Sequence, residues 1–137
     1  MFEKEIDFAV QQFRTLMEEQ LARQNKMEQG SVAKDFTKQE KIVVGVCGGD
    51  GIGPILMRET TRIIEKLLQA DIKSGKIEIR SIDGLTIENR IACGQAVPTD
   101  TLNAIKECDV LLKGPTTTPK GGTMESANVT LRRELDL

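Results

Sequence analysis

The sequence predicts an α/β fold, a parallel βαβαβ unit with an N-terminal helical extension, and three observations carry that prediction. Apolar residues recur at helical spacing through residues 2–27. A continuous apolar run, Lys41–Cys47 (KIVVGVC), leads directly into a glycine-rich turn. Beyond it, strand-like and helix-like segments alternate, the pattern of a parallel sheet with crossover helices. The chain divides into residues 1–40, an amphipathic helix and linker, and residues 41–137, the α/β domain.

In the first segment Ile6, Ala9, Val10, Phe13, Leu16, Met17 and Leu21 form one stripe, with Glu, Gln and Arg between them. Such a helix packs on its own domain or serves as a dimer or docking helix. Packing at home is the commoner outcome, because a lone amphipathic helix is marginal in water. Residues 28–40 are polar with a Gly30-Ser31 break and read as a linker.

The run Lys41–Cys47 marks a strand buried on both faces. A helix of about four turns follows, with Leu56, Ile63, Ile64, Leu67 and Leu68 on its apolar side and Pro54 in its first turn, where a missing N–H costs nothing. Lys76–Ile82 (KIEIRSI) alternates like a second strand. Thr86–Cys93 fits a short helix. Pro98-Thr99-Asp100 opens another through Lys106, with Thr99 or Asp100 as cap. Asp109–Lys113 is a third strand, residues 114–125 a loop rich in Gly, Thr and Pro, and Ser126–Leu135 a last helix.

Composition narrows the function. Among 137 residues, 19 Lys and Arg face 21 Asp and Glu, a net charge of −2 that gives no reason to expect nucleic acid or a membrane as partner. The acidic start Met1-Phe2-Glu3-Lys4-Glu5 has no signal-peptide character, and no run of apolar residues is long enough to span a bilayer. The expected location is the cytoplasm. Cys47, Cys93 and Cys108 form no CxxC pair, and there is no histidine, so reduced, buried cysteines are expected rather than a zinc site. All four Phe lie in the first 36 residues, and there is no Trp or Tyr. The domain core is therefore aliphatic and marginal for its size, which predicts that something covers it or that it belongs to a larger fold.

Two stretches could carry chemistry. In Gly48-Gly49-Asp50-Gly51-Ile52-Gly53-Pro54, Gly49 and Gly51 fit a GxGxxG fingerprint, but Pro54 takes the third glycine's place. A tight turn without a ligand is the slightly better reading. The second stretch runs from Lys113-Gly114-Pro115-Thr116-Thr117-Thr118-Pro119 to Ser126-Ala127-Asn128-Val129-Thr130-Leu131-Arg132-Arg133. A loop at the carboxyl end of a parallel strand is where open α/β folds place ligands. Ser126 falls at a helix start, where free N–H groups favour an anion. Asn128 and Arg132 are four apart and share a face, and Arg132 can take a carboxylate through two parallel hydrogen bonds. Spacing alone leaves a Ser cap with a solvated Asn and a surface Arg as the alternative.

Taken together, Gly49-Asp50-Gly51-Ile52-Gly53-Pro54, Leu112–Pro119 and Ser126–Leu137, in this order and separation, resemble the isocitrate/isopropylmalate dehydrogenase family across residues 41–137. The resemblance implies that family's α/β fold, an NAD- or NADP-dependent oxidative decarboxylation of a 2-hydroxy acid with Mg²⁺ or Mn²⁺, and a homodimer in the complete protein. It implies that Ser126, Asn128 and Arg132 bind substrate carboxylates and that Thr117, with Thr118 beside it, lies by the nicotinamide. Isopropylmalate-using members carry apolar residues where Ser126 and Asn128 stand, so the resemblance favours isocitrate. One departure is Met124-Glu125 before the serine, where many isocitrate-using members have an apolar residue followed by Arg.

Family members continue past Leu135-Asp136-Leu137 into further substrate arginines, a catalytic Tyr and Lys and the metal-binding aspartates. The resemblance thus implies an incomplete dehydrogenase domain, inactive alone, with no catalytic residue and no metal ligand in this portion. Two rivals remain: a non-catalytic regulatory or structural subunit docking on a full-length partner, and a generic anion-binding α/β module.

Overall fold

The computed structural model describes residues 2–29 and 34–137. They form two units, Met1–Asp35 and Phe36–Leu137.

In the first unit α1 spans Glu3–Glu28, with Glu3 and Glu5 in the first turn, where negative charge suits the helix dipole. Ile6, Val10, Phe13, Met17 and Leu21 fall within one sector of it, and all five are exposed. The predicted Gly30-Ser31 break lies outside the described residues. A single 3₁₀ turn, Phe36–Lys38, occupies part of the remaining predicted linker.

In the second unit the elements run β1 (Ile42–Cys47), α2 (Gly53–Leu67), α3 (Gln69–Lys73), β2 (Ile77–Ser81), α4 (Ile87–Cys93), α5 (Thr99–Lys106), β3 (Val110–Lys113) and α6 (Ala127–Glu134). The short α3 is the one helix that the periodicity does not announce. The strands pair in parallel in the order β2-β1-β3, with Val44 opposite Ile79 on one side and Val110 on the other. The predicted α/β class and parallel βαβαβ order are those of the structure.

Three local expectations need correction. Strand β1 is not buried on both faces: Ile42, Val43 and Val44 are half-exposed, and only Gly45 and Cys47 are buried. Helix α2, which follows β1, keeps Ile55, Leu56, Ile63 and Leu67 exposed, so its apolar stripe does not seal the sheet. Neither Thr99 nor Asp100 caps α5. Pro98 is its N-cap, without a side-chain bond, and the Gln95 side chain accepts from the Thr99 amide at 3.0 Å instead. Finally, of the three free cysteines only Cys47 is buried; Cys108 is half-buried and Cys93 is exposed.

The core lies beneath the other end of the chain. Cys47, Ile82, Leu85, Val97, Ile105, Ala127 and Leu131 form it, with Leu102, Ala104, Cys108, Leu111 and Leu135 packed against them. It is aliphatic, as the lack of aromatic residues beyond Phe36 requires. Helix α6 faces it with Ala127, Thr130 and Leu131, the i, i+3, i+4 pattern of one buried face. That choice of inward face fixes where the polar residues of α6 point.

Candidate active site at the carboxyl ends of β1 and β3

The chain leaves β1 towards β2 on one side and returns to β3 on the other. The carboxyl ends of β1 and β3 are thus a topological switch point, where loops diverge and leave a crevice. The glycine turn follows β1 and the Thr-rich loop follows β3, so both open here.

These two segments pack backbone against backbone. The Gly114 amide donates to the Cys47 carbonyl at 2.9 Å, and the Asp50 amide to the Pro115 carbonyl at 2.7 Å. A Cβ on Gly49, which has φ of 72°, would strike the Pro115 carbonyl, and one on Gly114 would strike that of Gly48. Both glycines are therefore required by close approach. The glycine turn braces its neighbouring loop, which agrees with the tight-turn reading.

Asp50 completes the brace. One carboxylate oxygen accepts the Ile87 amide at 2.7 Å at the start of α4, and the other accepts the Thr117 amide at 2.7 Å. The opposite end of Thr117 is held too. Arg90 Nη1 donates to its carbonyl at 2.7 Å. Arg90 is 0% exposed. Its Nε donates to the Ala96 carbonyl at 2.7 Å, and Nη2 makes longer contacts with the Glu125 carbonyl at 3.5 Å and the Met124 sulfur at 3.8 Å. A buried guanidinium is costly unless its donors are matched, and backbone carbonyls match them here.

With Thr117 fixed through its backbone, its side chain is left over, and both Thr117 and Thr118 are exposed. Lys113 sits behind them, donating to the Gly114 carbonyl at 2.6 Å. Burial holds its ammonium below the usual lysine range; Cys47 opposes that shift, and nearby Arg90 adds to it. The floor under the loop thus carries two cationic side chains, Lys113 and Arg90, beside the carboxylate of Asp50.

Across the loop, Ser126 is the N-cap of α6 and makes no side-chain capping bond. Asn128 and Arg132 lie on one flank of α6, about 40° apart around the axis, and both are exposed. Arg133, a further 100° round, pairs with Glu125 at 3.1 Å and Glu134 at 3.7 Å. Arg132 takes part in neither pair. Glu125, the departure noted in the sequence, is tied down: it accepts from Thr130 Oγ1 at 2.6 Å and from Arg133. The Thr130 hydroxyl, with Arg133 adding to it, holds its carboxyl below the usual range against a weaker effect of burial. Its charge is spent on the Arg133 flank of α6.

The structure therefore places Ser126, Asn128 and Arg132 on one short helix, and Thr117 and Thr118 at the other end of the same loop. The sequence reading missed Arg90 and the part played by Asp50. On α4, hydropathy puts Ile91 inside and Arg90 outside, yet Ile91 is 58% exposed and Arg90 is sealed. Spacing does not separate the two, because Ile87 lies three residues from Arg90 and four from Ile91.

A separate groove of about 580 Å³ lies between α2 and the end of β2, lined by Pro54, Met57, Thr61, Ile79, Ile82 and Leu85 among others. None of the five candidate site residues lines it. Among the described residues, no group of three His, Cys, Asp or Glu is placed to hold a metal ion. No helix among the described residues is long and apolar enough to cross a membrane.

Comparison with known proteins places this arrangement. Residues 43–137 match the family described as isocitrate/isopropylmalate dehydrogenase. The NADP-dependent isocitrate dehydrogenase of Archaeoglobus fulgidus is 44% identical over 90 residues, covering 65% of this chain and 21% of that one. Its namesake from Staphylococcus aureus is 39% identical over 90 residues, with the same coverage. The one from Caldococcus noboribetus is 39% identical over 102 residues, 72% of this chain and 23% of its own. Among solved structures, a β-decarboxylating dehydrogenase from Thermococcus kodakarensis superposes with a TM-score of 0.56 at 30% identity, covering 69% of this chain and 27% of that one. The chain spans about a fifth of the length of the curated relatives it matches.

Proposed function

The chain belongs to the isocitrate/isopropylmalate dehydrogenase family, and from that premise we propose that it supplies the first substrate-binding segment of an isocitrate dehydrogenase that uses NAD or NADP. The observation that carries this reading is the division of labour on α6. Arg133 and Glu125 neutralise each other on one flank, while Arg132 and Asn128 are exposed and the half-buried Ser126 makes no side-chain capping bond. An amide and a guanidinium on one flank, with a helix start and its N-cap hydroxyl at the end of the same helix, suit a polycarboxylate. An apolar branch, as in isopropylmalate, gains nothing from them. The names of the three relatives favour isocitrate, and NADP over NAD.

In this reading Arg132 binds one carboxylate, Asn128 and Ser126 orient another, and Thr117 with Thr118 lines the nicotinamide end of the cofactor. The nicotinamide, when bound, supplies the hydride acceptor. The divalent metal of the family has no fitting ligand group among the described residues, so this segment's share of the work is binding and orientation.

The test is isocitrate-dependent reduction of NADP, with Mn²⁺ present, by the protein expressed from its own gene. Turnover that isopropylmalate cannot replace supports the reading. Preference for isopropylmalate overturns the substrate assignment. No turnover alone, with stimulation of a complete dehydrogenase on mixing, favours the subunit rival.

A further inference from the structure

We propose that Arg90 is a positioning residue, a buried bracket that sets the spacing between Thr117 and the start of α6. The proposal rests on the isocitrate dehydrogenase reading for its functional consequence, but its geometry stands apart from that reading.

A fully buried guanidinium with no carboxylate among its hydrogen-bond partners asks for an explanation. Its oxygen acceptors are main-chain carbonyls from three places: Ala96, after its own helix; Thr117, four residues past β3; and, at 3.5 Å, Glu125, where the loop enters α6, with the Met124 sulfur a further contact at 3.8 Å. Arginine's planar fork can reach several acceptors in fixed relative directions, which a lysine ammonium on a flexible stem does not do. Between the Thr117 and Glu125 anchors the loop is exposed from Lys120 to Thr123 and turns through Gly121 and Gly122, with φ of 90° and 70°. Such a segment has little rigidity of its own. The relation between its ends is imposed from below by Arg90, and those ends carry Thr117 on one side and Ser126 on the other. Asp50 adds the second restraint on Thr117, through the amide.

If Thr117 lies by the nicotinamide and Ser126 binds the substrate, Arg90 governs how the two reactants face each other. Each ligand alone touches one end of the loop. Arg90 touches neither, being 0% exposed. Its loss should therefore leave each binary affinity nearly intact and lower the rate of the step that needs both, since orientation errors act on the chemical step.

The experiment compares wild type, Arg90→Met and Arg90→Lys, each expressed from its own full gene. If wild type turns over isocitrate, Arg90→Met should lower kcat at least about tenfold. The dissociation constants of isocitrate and of NADP, each measured alone by calorimetry, should change less than about threefold. Arg90→Lys should recover part of the lost kcat. An unchanged kcat in folded Arg90→Met overturns the proposal, as does a loss that appears equally in both binary constants. If Arg90→Met does not fold, Arg90→Lys decides: reduced kcat with retained binding supports the bracket, and wild-type kcat overturns it. If wild type turns over nothing, the kinetic comparison bears on the proposed function alone, and amide exchange decides the bracket by itself. Faster exchange in residues 116–126 of the variants, with β1 unchanged, supports it; uniform or absent change overturns it.

Discussion

The carboxylate of Asp50 accepts the amide proton of Thr117 at 2.7 Å, joining two loops 67 residues apart in sequence. Its other oxygen takes the Ile87 amide at the same distance. An asparagine keeps the shape but has one good acceptor, so Asp50→Asn must release one amide or oppose an NH₂ to it. We expect a loss of about 1.5–3 kcal/mol in unfolding free energy, the range for a hydrogen bond to a charged group. Chemical denaturation measures it. A loss under about 0.5 kcal/mol would mean that water replaces the bond at no cost.

On α6, Arg132 and Arg133 should part company. Arg132→Ala should lower kcat/KM for isocitrate at least about tenfold, or 1.4 kcal/mol, in the active protein. Arg133→Ala should leave kcat/KM within about threefold and weaken the start of α6, because its partners are Glu125 and Glu134. Steady-state kinetics and helix-resolved amide exchange separate the two. Equal effects at both positions would return Arg132 to the status of a solvated surface residue.

How much of this was legible in the sequence depends on the range of the forces involved. The strands and α2 follow from local apolar patterning, and Ser126, Asn128 and Arg132 follow from helical spacing. The Asp50–Thr117 bond and the Arg90 bracket do not, because both are side-chain bonds to backbone groups set by tertiary packing. Nothing local distinguishes Asp50 from any aspartate in a glycine turn. Arg90 runs against hydropathy outright, sealed beside an exposed Ile91. The expected double burial of β1 failed for a related reason: patterning shows that a strand is apolar, but not how much of it is covered by the neighbours present.

The buried thiol of Cys47 gives a pH-dependent prediction. Burial pushes it from 9.0 to about 11, with Lys113 pulling the other way. A group whose pKa is raised in the folded state supports the fold below its unfolded pKa, and that support is lost as pH rises through the folded pKa. Stability should therefore fall between about pH 9 and 11, by up to roughly 3 kcal/mol at 1.36 kcal/mol per unit. Lys113, held below its ordinary range by burial, contributes with the opposite sign, so the comparison is made against Cys47→Ala. That variant should show a shallower alkaline decline in thermal melts, since burial also raises the Cys108 thiol. In native protein Cys93 should react first with a thiol reagent, being exposed. Equal labelling of Cys47 at pH 8 would contradict its burial.

The apolar stripe of α2 yields a prediction about association. Ile63 and Leu67 are 62% and 76% exposed and sit one turn apart. Residues 1–137 prepared alone should self-associate at high concentration, and Ile63→Lys with Leu67→Glu should reduce this without lowering the melting temperature by more than a few degrees. Sedimentation velocity provides the check. Equal association by wild type and the double variant would move the sticky surface elsewhere, with α1 the next to test.

The parallel order β2-β1-β3 also has a consequence in time. The central strand is the first to leave the ribosome, and it waits for partners on both flanks: Ile42 meets Ile77, and Val44 meets Val110. Each pairing closes a long loop before it gains any contact, the slow route to a sheet. The Asp50–Thr117 bond spans slightly more chain than the last of these pairings, so it can lock only after β3 has docked. During synthesis, the crevice that would take substrate is therefore assembled after the scaffold beneath it, and a nascent chain halted before Thr117 would hold a glycine turn with nothing to brace.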